Sequence, residues 1–389
     1  MRTAQFRWSK SHGWAPHAPS PGALPAQLVL VFGAPAALRE PGVLTHVGAA
    51  FPGAQVLGCS TAGEIAGVEV LDDTVVVTAA SFEHTQLRGA QVRLNPAVGS
   101  GEAGEALARA LPVTIPAGTA GETERLAHVF VLSDGLQVNG SELVRGLARR
   151  LPPDVTVTGG LAGDGARFGE TLVVFNGVPA SGSIAAVGFY GARLKVGFGS
   201  LGGWDSFGPD RLITRSRGNV LYELDGISAL GLYKKYLGEH AAGLPATGLL
   251  FPLSLRTSPT EPPVVRTILS VDEEQQTLTF AGDVPEGSHA RLMKANFDRL
   301  IDGAVGAAHT GRGAIAGTTP QLAILISCVG RKLVLHQRIE EEVEGVRDVL
   351  GAQAVLAGFY SYGEISPFTP GARCELHNQT MTITTFAEA

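Results

Sequence analysis

Cysteine is scarce in this chain, and so are charge and long apolar runs. There are three cysteines in 389 residues, Cys59, Cys328 and Cys374. Their spacing makes no CxxC pair, which excludes a zinc ribbon, a thioredoxin-type redox site and, with no CxxCH, covalent c-type haem. A sparse, odd set also speaks against a disulfide framework and for a reducing compartment. Charged residues are 17% of the chain and the net charge is −6, which argues against nucleic acid or an anionic membrane as the main partner. No apolar run reaches the roughly 18 residues that a membrane helix needs. The opening MRTAQFRWSKSHGWAPHAPSPG lacks the apolar stretch of a signal peptide. The expectation is a soluble cytoplasmic protein. Also missing are GxxxxGK[ST], GxGxxG and HExxH, so nucleotide and paired-histidine metal chemistry have no motif to rest on.

Glycine and apolar side chains are what the chain has in excess. Hydrophobic residues make up 44%, enough for a large core. Glycine occurs 51 times, close to twice the usual share of about 7%. Some of it recurs in register. Gly58-Cys59-Ser60-Thr61-Ala62-Gly63-Glu64-Ile65 returns as Gly358-Phe359-Tyr360-Ser361-Tyr362-Gly363-Glu364-Ile365, and Ala162-Gly163-Asp164 stands in the place of Ala62-Gly63-Glu64. In this frame the positions matching Cys59 are Gly159 and Phe359.

Each acid-tipped loop follows the same pattern. Strand, helix and strand are predicted over 27–32, 38–50 and 54–58, again over 128–132, 139–151 and 155–158, and again over 321–327, 338–350 and 354–358. Leu143, Val144, Leu147 and Leu151 share one helical face, with Asn139 or Ser141 as N-cap; Ile339, Val343, Val346 and Leu350 share another. Antiparallel strands are predicted after the loops, at 74–82 and 87–94, at 171–175, 184–190 and 193–200, and at 380–386. A different segment lies between the second and third copies, with a strand at 219–224, a helix at 227–237 closed by Gly238, a hairpin at 264–271 and 276–280, and a helix from 297 after an Asn296 cap. Strand–helix–strand units favour parallel pairing with right-handed crossovers. The expected fold is α/β, with two domains built from repeated units and mixed sheets covered by helices. The expected division is a lead-in over 1–25, a first domain over 26–190 and a second over 191–389.

Several residues could carry chemistry. Glu64 can hold a cationic group or cap backbone N–H groups, and Thr61 can hydrogen-bond a ligand or its own loop. Cys59 reads as a buried apolar thiol or as a nucleophile with a lowered pKa. The carboxylates Asp134, Asp164, Glu64 and Glu364 could do acid–base work if burial raised their pKa. Leu376-His377-Asn378-Gln379-Thr380 packs three hydrogen-bonding side chains before a strand, as a turn network or as the polar wall of a pocket, where His377 offers a ring nitrogen to a ligand or a haem iron. The tract from Gly203 to Arg211 reads as a joining loop with a strand, or as a lid or partner-facing surface.

Together GCSTAGEI at 58–65, SDG at 133–135, GGLAGD at 159–164, VLYELDG at 220–226, GEI at 363–365 and LHNQT at 376–380 resemble the FIST family, in family order along nearly the whole chain. The resemblance implies an intracellular small-ligand sensor of bacterial signal transduction that regulates a separate partner, a histidine kinase or diguanylate cyclase, rather than an enzyme. It implies a ligand of amino-acid type or, as in the stand-alone haem-containing members, haem for nitric-oxide sensing. Carried onto this sequence, it places the ligand near Tyr360, Ser361, Glu364, His377, Asn378 and Gln379. The alternatives are an enzyme using Cys59 or the loop carboxylates, and a ligand-free scaffold.

Overall fold

The computed structural model describes residues 1–94, 98–117, 122–258, 263–368 and 371–389. The fold is mixed α/β, as expected, and its organising element is the strand–helix–strand unit repeated three times. Unit 1 runs from the strand Leu28–Gly33 to the strand Gln55–Ser60, unit 2 from Thr123–Ser133 to Thr156–Leu161, and unit 3 from Leu322–Cys328 to Val355–Ser361. Within each unit the two strands are parallel. An antiparallel strand flanks each pair: Thr74–Ser81, Ser183–Tyr190 and Met381–Glu388. A fourth strand completes each set, namely Arg2–Ser9, Gln86–Arg93 and Leu194–Leu201. The N-terminal lead-in therefore includes a sheet strand, which pairs along its whole length with Thr74–Ser81.

The units are not independent, because each sends the strand after its acid loop to a neighbour. Glu64–Ala66 of unit 1 pairs with Val355–Ser361 of unit 3. Gly363–Pro367 of unit 3 pairs with Thr156–Leu161 of unit 2. Val173–Phe175 of unit 2 pairs with Gln55–Ser60 of unit 1. The exchange closes into a ring, so N-terminal and C-terminal parts of the chain share sheets. The turn at 191–193 leads into Leu194–Leu201, which pairs with the last strand of the chain.

Glycine makes this packing possible at one repeated position. A Cβ on Gly58, Gly159 or Gly358 would lie 2.0, 1.8 or 1.9 Å from the carbonyl oxygen of Val31, Val131 or Leu325. Strand pairing therefore aligns Gly159 with Gly58 and Gly358, one residue away from the match that the sequence frame implies. The loop from Asp164 then makes up the difference before its strand begins at Val173.

Helices depart from expectation at three places, one of them Val329–Leu335, which no sequence prediction covers. The helix predicted over 38–50 is two, Pro35–Leu38 and Val43–Ala50, broken at Pro41-Gly42, where Gly42 takes φ +90°. A helix without a sequence prediction, Ser100–Arg109, packs on Gly140–Ala148. Its contact is made by small residues: a Cβ on Gly146 would meet the Gly101 oxygen at 1.9 Å, and one on Gly104 the Leu143 oxygen at 2.4 Å. Asn139 is the N-cap of its helix and Asn296 that of Phe297–Ala314.

Residues 205–294 form a separate sheet inserted before unit 3. Its order begins at Val264–Arg266 and passes through the long strand Asp205–Arg217 to Ile268–Asp272. The helix Ala229–Leu237 packs on it around Leu230, Tyr233, Leu278 and Phe280. Arg266, buried, fastens this segment to unit 3 by donating to the Leu376 oxygen at 2.9 Å.

The close approach at the repeated glycine is testable. Gly358→Ala is expected to cost about 3 kcal/mol, the upper end of overpacking penalties. Gly48→Ala, in a helix with nothing within 4 Å of the new methyl, is expected to gain up to about 1 kcal/mol. Urea unfolding midpoints of the two variants check both; equal stability of Gly358→Ala and the parent chain would disprove the close approach.

Candidate functional site

The acid residues of the loops are the first place to look, and the chain's own donors already occupy them. Glu64 accepts the Thr61 hydroxyl on one carboxyl oxygen and both the N–H and hydroxyl of Thr74 on the other, at 3.2 and 2.6 Å. Glu364 repeats this with Ser361 at 2.6 Å and with the N–H and hydroxyl of Thr380 at 3.2 and 3.0 Å. Burial pushes the Glu64 carboxyl up to about 7 and Glu364 up to about 8, against the lowering effect of these hydrogen bonds. Asp164 accepts the N–H groups of Phe168, Gly169 and Glu170 and the hydroxyl of Tyr362. Asp134 accepts those of Leu136, Gln137 and Gly182. These four carboxyls hold loops and strand starts in place.

Two clefts open beside the loops. The first, of about 490 Å³, lies where all three units meet: Ala62 and Asp72 come from unit 1, Gly165 and Ala166 from unit 2, and Val329 and Lys332 from unit 3. Lys332 dominates its wall. The ammonium donates to the Ala62 oxygen at 3.0 Å and to the Asp72 carboxylate, and lies 5.5 Å from the centroid of the Tyr360 ring. Lys332 is 18% exposed and Asp72 69%, so the pair faces water on one side. Behind it the Tyr360 hydroxyl donates to Glu342 at 2.8 Å, and Glu342 is bonded by the fully buried Arg331 at 2.7 and 3.1 Å. A second cleft, of about 460 Å³, lies between Ala34–Arg39 of unit 1 and the loop from Asp164 to Glu170.

Comparison with known families assigns this architecture. A FIST N domain model matches residues 27–227 and a FIST C domain model matches residues 229–367. The chain belongs to the FIST family. FIST domains occur in sensory proteins of signal transduction that bind small ligands. A search of curated proteins found no match. The FIST N match includes the strands Leu194–Leu201 and Asp205–Arg217, which the sequence reading assigned to its second domain.

In this FIST chain the residues singled out from sequence do gather around the strand Val355–Ser361, but below the surface. Thr61, Glu64, Tyr360, Ser361, Glu364, His377, Asn378 and Gln379 are each at most 2% exposed. Asn378 donates to the Tyr362 oxygen at 3.2 Å and Gln379 to the Leu249 oxygen at 2.9 Å. None of the eight is among the residues lining either cleft, and the Tyr360 ring lies beneath Lys332. His377 places Nε2 2.9 Å from the Ser366 oxygen and its ring against Phe368, and burial lowers its pKa to about 4. With that nitrogen committed to a carbonyl and the ring enclosed, the residues around His377 do not fit a haem. The other buried histidine, His128, is held between the hydroxyls of Thr156 and Thr158 at 2.7 and 3.1 Å. Among the described residues no group of three His, Cys, Asp or Glu is placed to hold a metal ion. Cys59 is fully buried in the core and burial raises its thiol well above the ordinary value, so it has neither the access nor the thiolate character of a nucleophile.

Lys332 and Asp72 escaped the sequence reading because they lie 260 residues apart. No motif surrounds either one. Only the pairing of Glu64–Ala66 with unit 3 brings them together.

The buried carboxyls make stability depend on pH. Both folded pKa values, about 7 and about 8, lie above the ordinary 4.5. The folded chain therefore keeps protons that the unfolded chain releases, and stability is full below that ordinary value and lost as pH rises through the folded values. Glu364→Gln is expected to flatten the decline between about pH 5 and about pH 8, read as urea midpoints across that range. Equal slopes in the variant and parent chains would show that Glu364 is already ionised at the lower end.

Proposed function

We propose that this FIST protein is a cytoplasmic sensor that binds a small polar molecule in the cleft at the junction of its three units and regulates a separate signalling partner, such as a histidine kinase or diguanylate cyclase. The observation that carries this reading is the Lys332–Asp72 pair on the wall of the first cleft. One cationic and one anionic side chain, side by side and open to water, match a ligand of amino-acid type, with its carboxylate on Lys332 and its amine on Asp72. A half-exposed ion pair is worth little in itself, on the order of 1 kcal/mol or less, so a ligand that replaces both halves meets a small penalty. Binding without turnover is favoured by the state of the reactive groups: the Cys59 thiol is buried, and the carboxyls of Glu64, Glu364, Asp134 and Asp164 are occupied by the chain's own donors.

Position supports a sensing role as well. A molecule seated in the first cleft touches all three units at once. Lys332 follows Arg331, whose guanidinium donates to the oxygens of Gly202 and Leu300 at 3.1 and 2.6 Å. Gly202 leads directly into the inserted sheet, which starts at Asp205. The cleft and the inserted sheet are thus joined through one short helix, Val329–Leu335.

The test is a thermal-shift screen of the full chain against the amino acids, with haem titrated separately and followed by its absorbance. An amino acid at about a hundred times its Kd is expected to add roughly 2.7 kcal/mol to stability. Lys332→Met and Asp72→Asn are each expected to abolish the shift. No shift with any amino acid would overturn this ligand class, and a Soret band that saturates at one haem per chain would replace it with haem.

A further inference from the structure

The second cleft has the parts of the first in a different arrangement. Its walls are the helix start Ala34–Ala36 with Arg39, the residue Asp73, and Asp164, Arg167, Gly169 and Glu170. Two segments are common to both clefts. Asp72 lines the first and its neighbour Asp73 the second. Gly165 and Ala166 line the first, while Arg167 and Gly169 line the second. One turn and one loop therefore line both.

Two charges of the second cleft differ in being unspent. Arg39 donates to both oxygens of Glu170, at 2.6 Å for one of them. Asp164 has its oxygens filled by three N–H groups and the Tyr362 hydroxyl. That leaves Arg167 and Asp73. Both are exposed, and among the described residues neither makes a hydrogen bond or ion pair. In the first cleft the opposite charges Lys332 and Asp72 have met each other; in the second, Arg39 and Glu170 have met as well, and Arg167 and Asp73 are left. Asp73 is also fixed in place. It takes φ +55°, and the N–H that follows it, on Thr74, is tied to Glu64.

We propose that the second cleft is a distinct ligand site, for a small molecule that carries a carboxylate for Arg167 and a cationic group for Asp73. Arg167 offers the planar fork that suits a carboxylate. Asp73 offers an acceptor-only group for an ammonium or guanidinium. Asp73 comes from the turn of unit 1 and Arg167 from the loop of unit 2, so the ligand must reach both; a molecule with one charge satisfies one segment and leaves the other. This site goes beyond the sensor reading of the first cleft and does not depend on which molecule the first cleft takes.

Isothermal titration of the full chain with ω-amino acids, from glycine to 6-aminohexanoate, tests the proposal, with acetate and methylammonium as single-charge controls. Saturable binding is expected for at least one chain length and for neither control. Arg167→Gln and Asp73→Asn are each expected to weaken it at least about tenfold, which is about 1.4 kcal/mol. Lys332→Met is expected to leave it in place, which separates this site from the first cleft. The proposal is overturned if no ω-amino acid binds, if acetate binds as well as the best of them, if Arg167→Gln and Asp73→Asn bind like the parent chain, or if Lys332→Met alone removes binding. Both substitutions are at exposed positions, and far-UV circular dichroism confirms that the variants are folded.

Discussion

A buried carboxyl fixed at both ends by Ser or Thr determines where the exchanged strands of units 1 and 3 begin. Glu64 takes a hydroxyl three residues before it and a Thr ten residues after it; Glu364 takes a hydroxyl three residues before it and a Thr sixteen residues after it. Each Glu stands at the point where its chain leaves its own unit and enters the sheet of another. A buried carboxyl is expensive without partners. Here the partners are on the loop and on the next strand, so desolvation is offset only when loop, exchanged strand and following strand are all in place. That requirement ties a local turn to a contact hundreds of residues away. Gly58, Gly159 and Gly358 make the complementary demand, since the backbone spacing at each excludes a side chain.

The second commitment of the fold is the Arg331–Glu342 pair, both fully buried. Desolvating two charges costs several kcal/mol per ion, and only excellent geometry repays it. The geometry is of that kind. Glu342 also accepts from Ser327 and Tyr360, and Arg331 also donates to the oxygens of Gly202 and Leu300. The pair therefore joins both parallel strands of unit 3, its two helices, the long helix Phe297–Ala314 and the entry to the inserted sheet. Such a network contributes little net stability over an apolar core, but it has few alternative arrangements. It holds Tyr360, the ring beneath Lys332, in a fixed relation to the inserted sheet.

The repeated unit was readable because three copies of one pattern support each other: parallel strands at 28–33 and 55–60, with their counterparts, fall where the apolar runs are. The caps Asn139 and Asn296 were readable because N-capping is local chemistry. The exchange of strands was not. Glu64–Ala66 has three residues, and its partner strand lies about 290 positions away, beyond any periodicity argument. The helix Ser100–Arg109 was missed because Leu107 is the one large apolar residue on a buried face otherwise made of Ser, Ala and Gly. The candidate site was partly legible. The loops led to the right neighbourhood and to Tyr360, but burial decides which polar groups can meet a ligand, and sequence does not display it. Asp134, Asp164, Glu64 and Glu364 look alike as letters and all prove to be occupied. Asp73 and Arg167 are ordinary surface residues by sequence and prove to be unpaired among the described residues.

The same logic explains why units 1 and 3 differ at one turn. Asp72-Asp73 and Asn378-Gln379 precede Thr74 and Thr380, whose N–H groups bond to Glu64 and Glu364. Asp73 and Gln379 share the left-handed backbone, at φ +55° and +64°. The surroundings are opposite. Unit 3's turn is covered: the Gln379 side chain donates to the Leu249 oxygen, its main-chain oxygen accepts from Trp204, and its amide fills the space that a side chain on Gly330 would take. Two carboxylates there would each need a buried cation. Two primary amides need only carbonyls and N–H groups: the inserted segment supplies the Leu249 oxygen to Gln379 and the Thr267 N–H to Asn378, and among the described residues the Gln379 side-chain oxygen has no partner. In unit 1 the turn is exposed, with Asp72 paired to Lys332, and carboxylates are allowed because water solvates them. The inserted segment between Asp205 and Lys294 thus breaks the symmetry of the ring chemically as well as geometrically. It makes one turn neutral and structural, and it leaves the equivalent turn charged and open between two clefts.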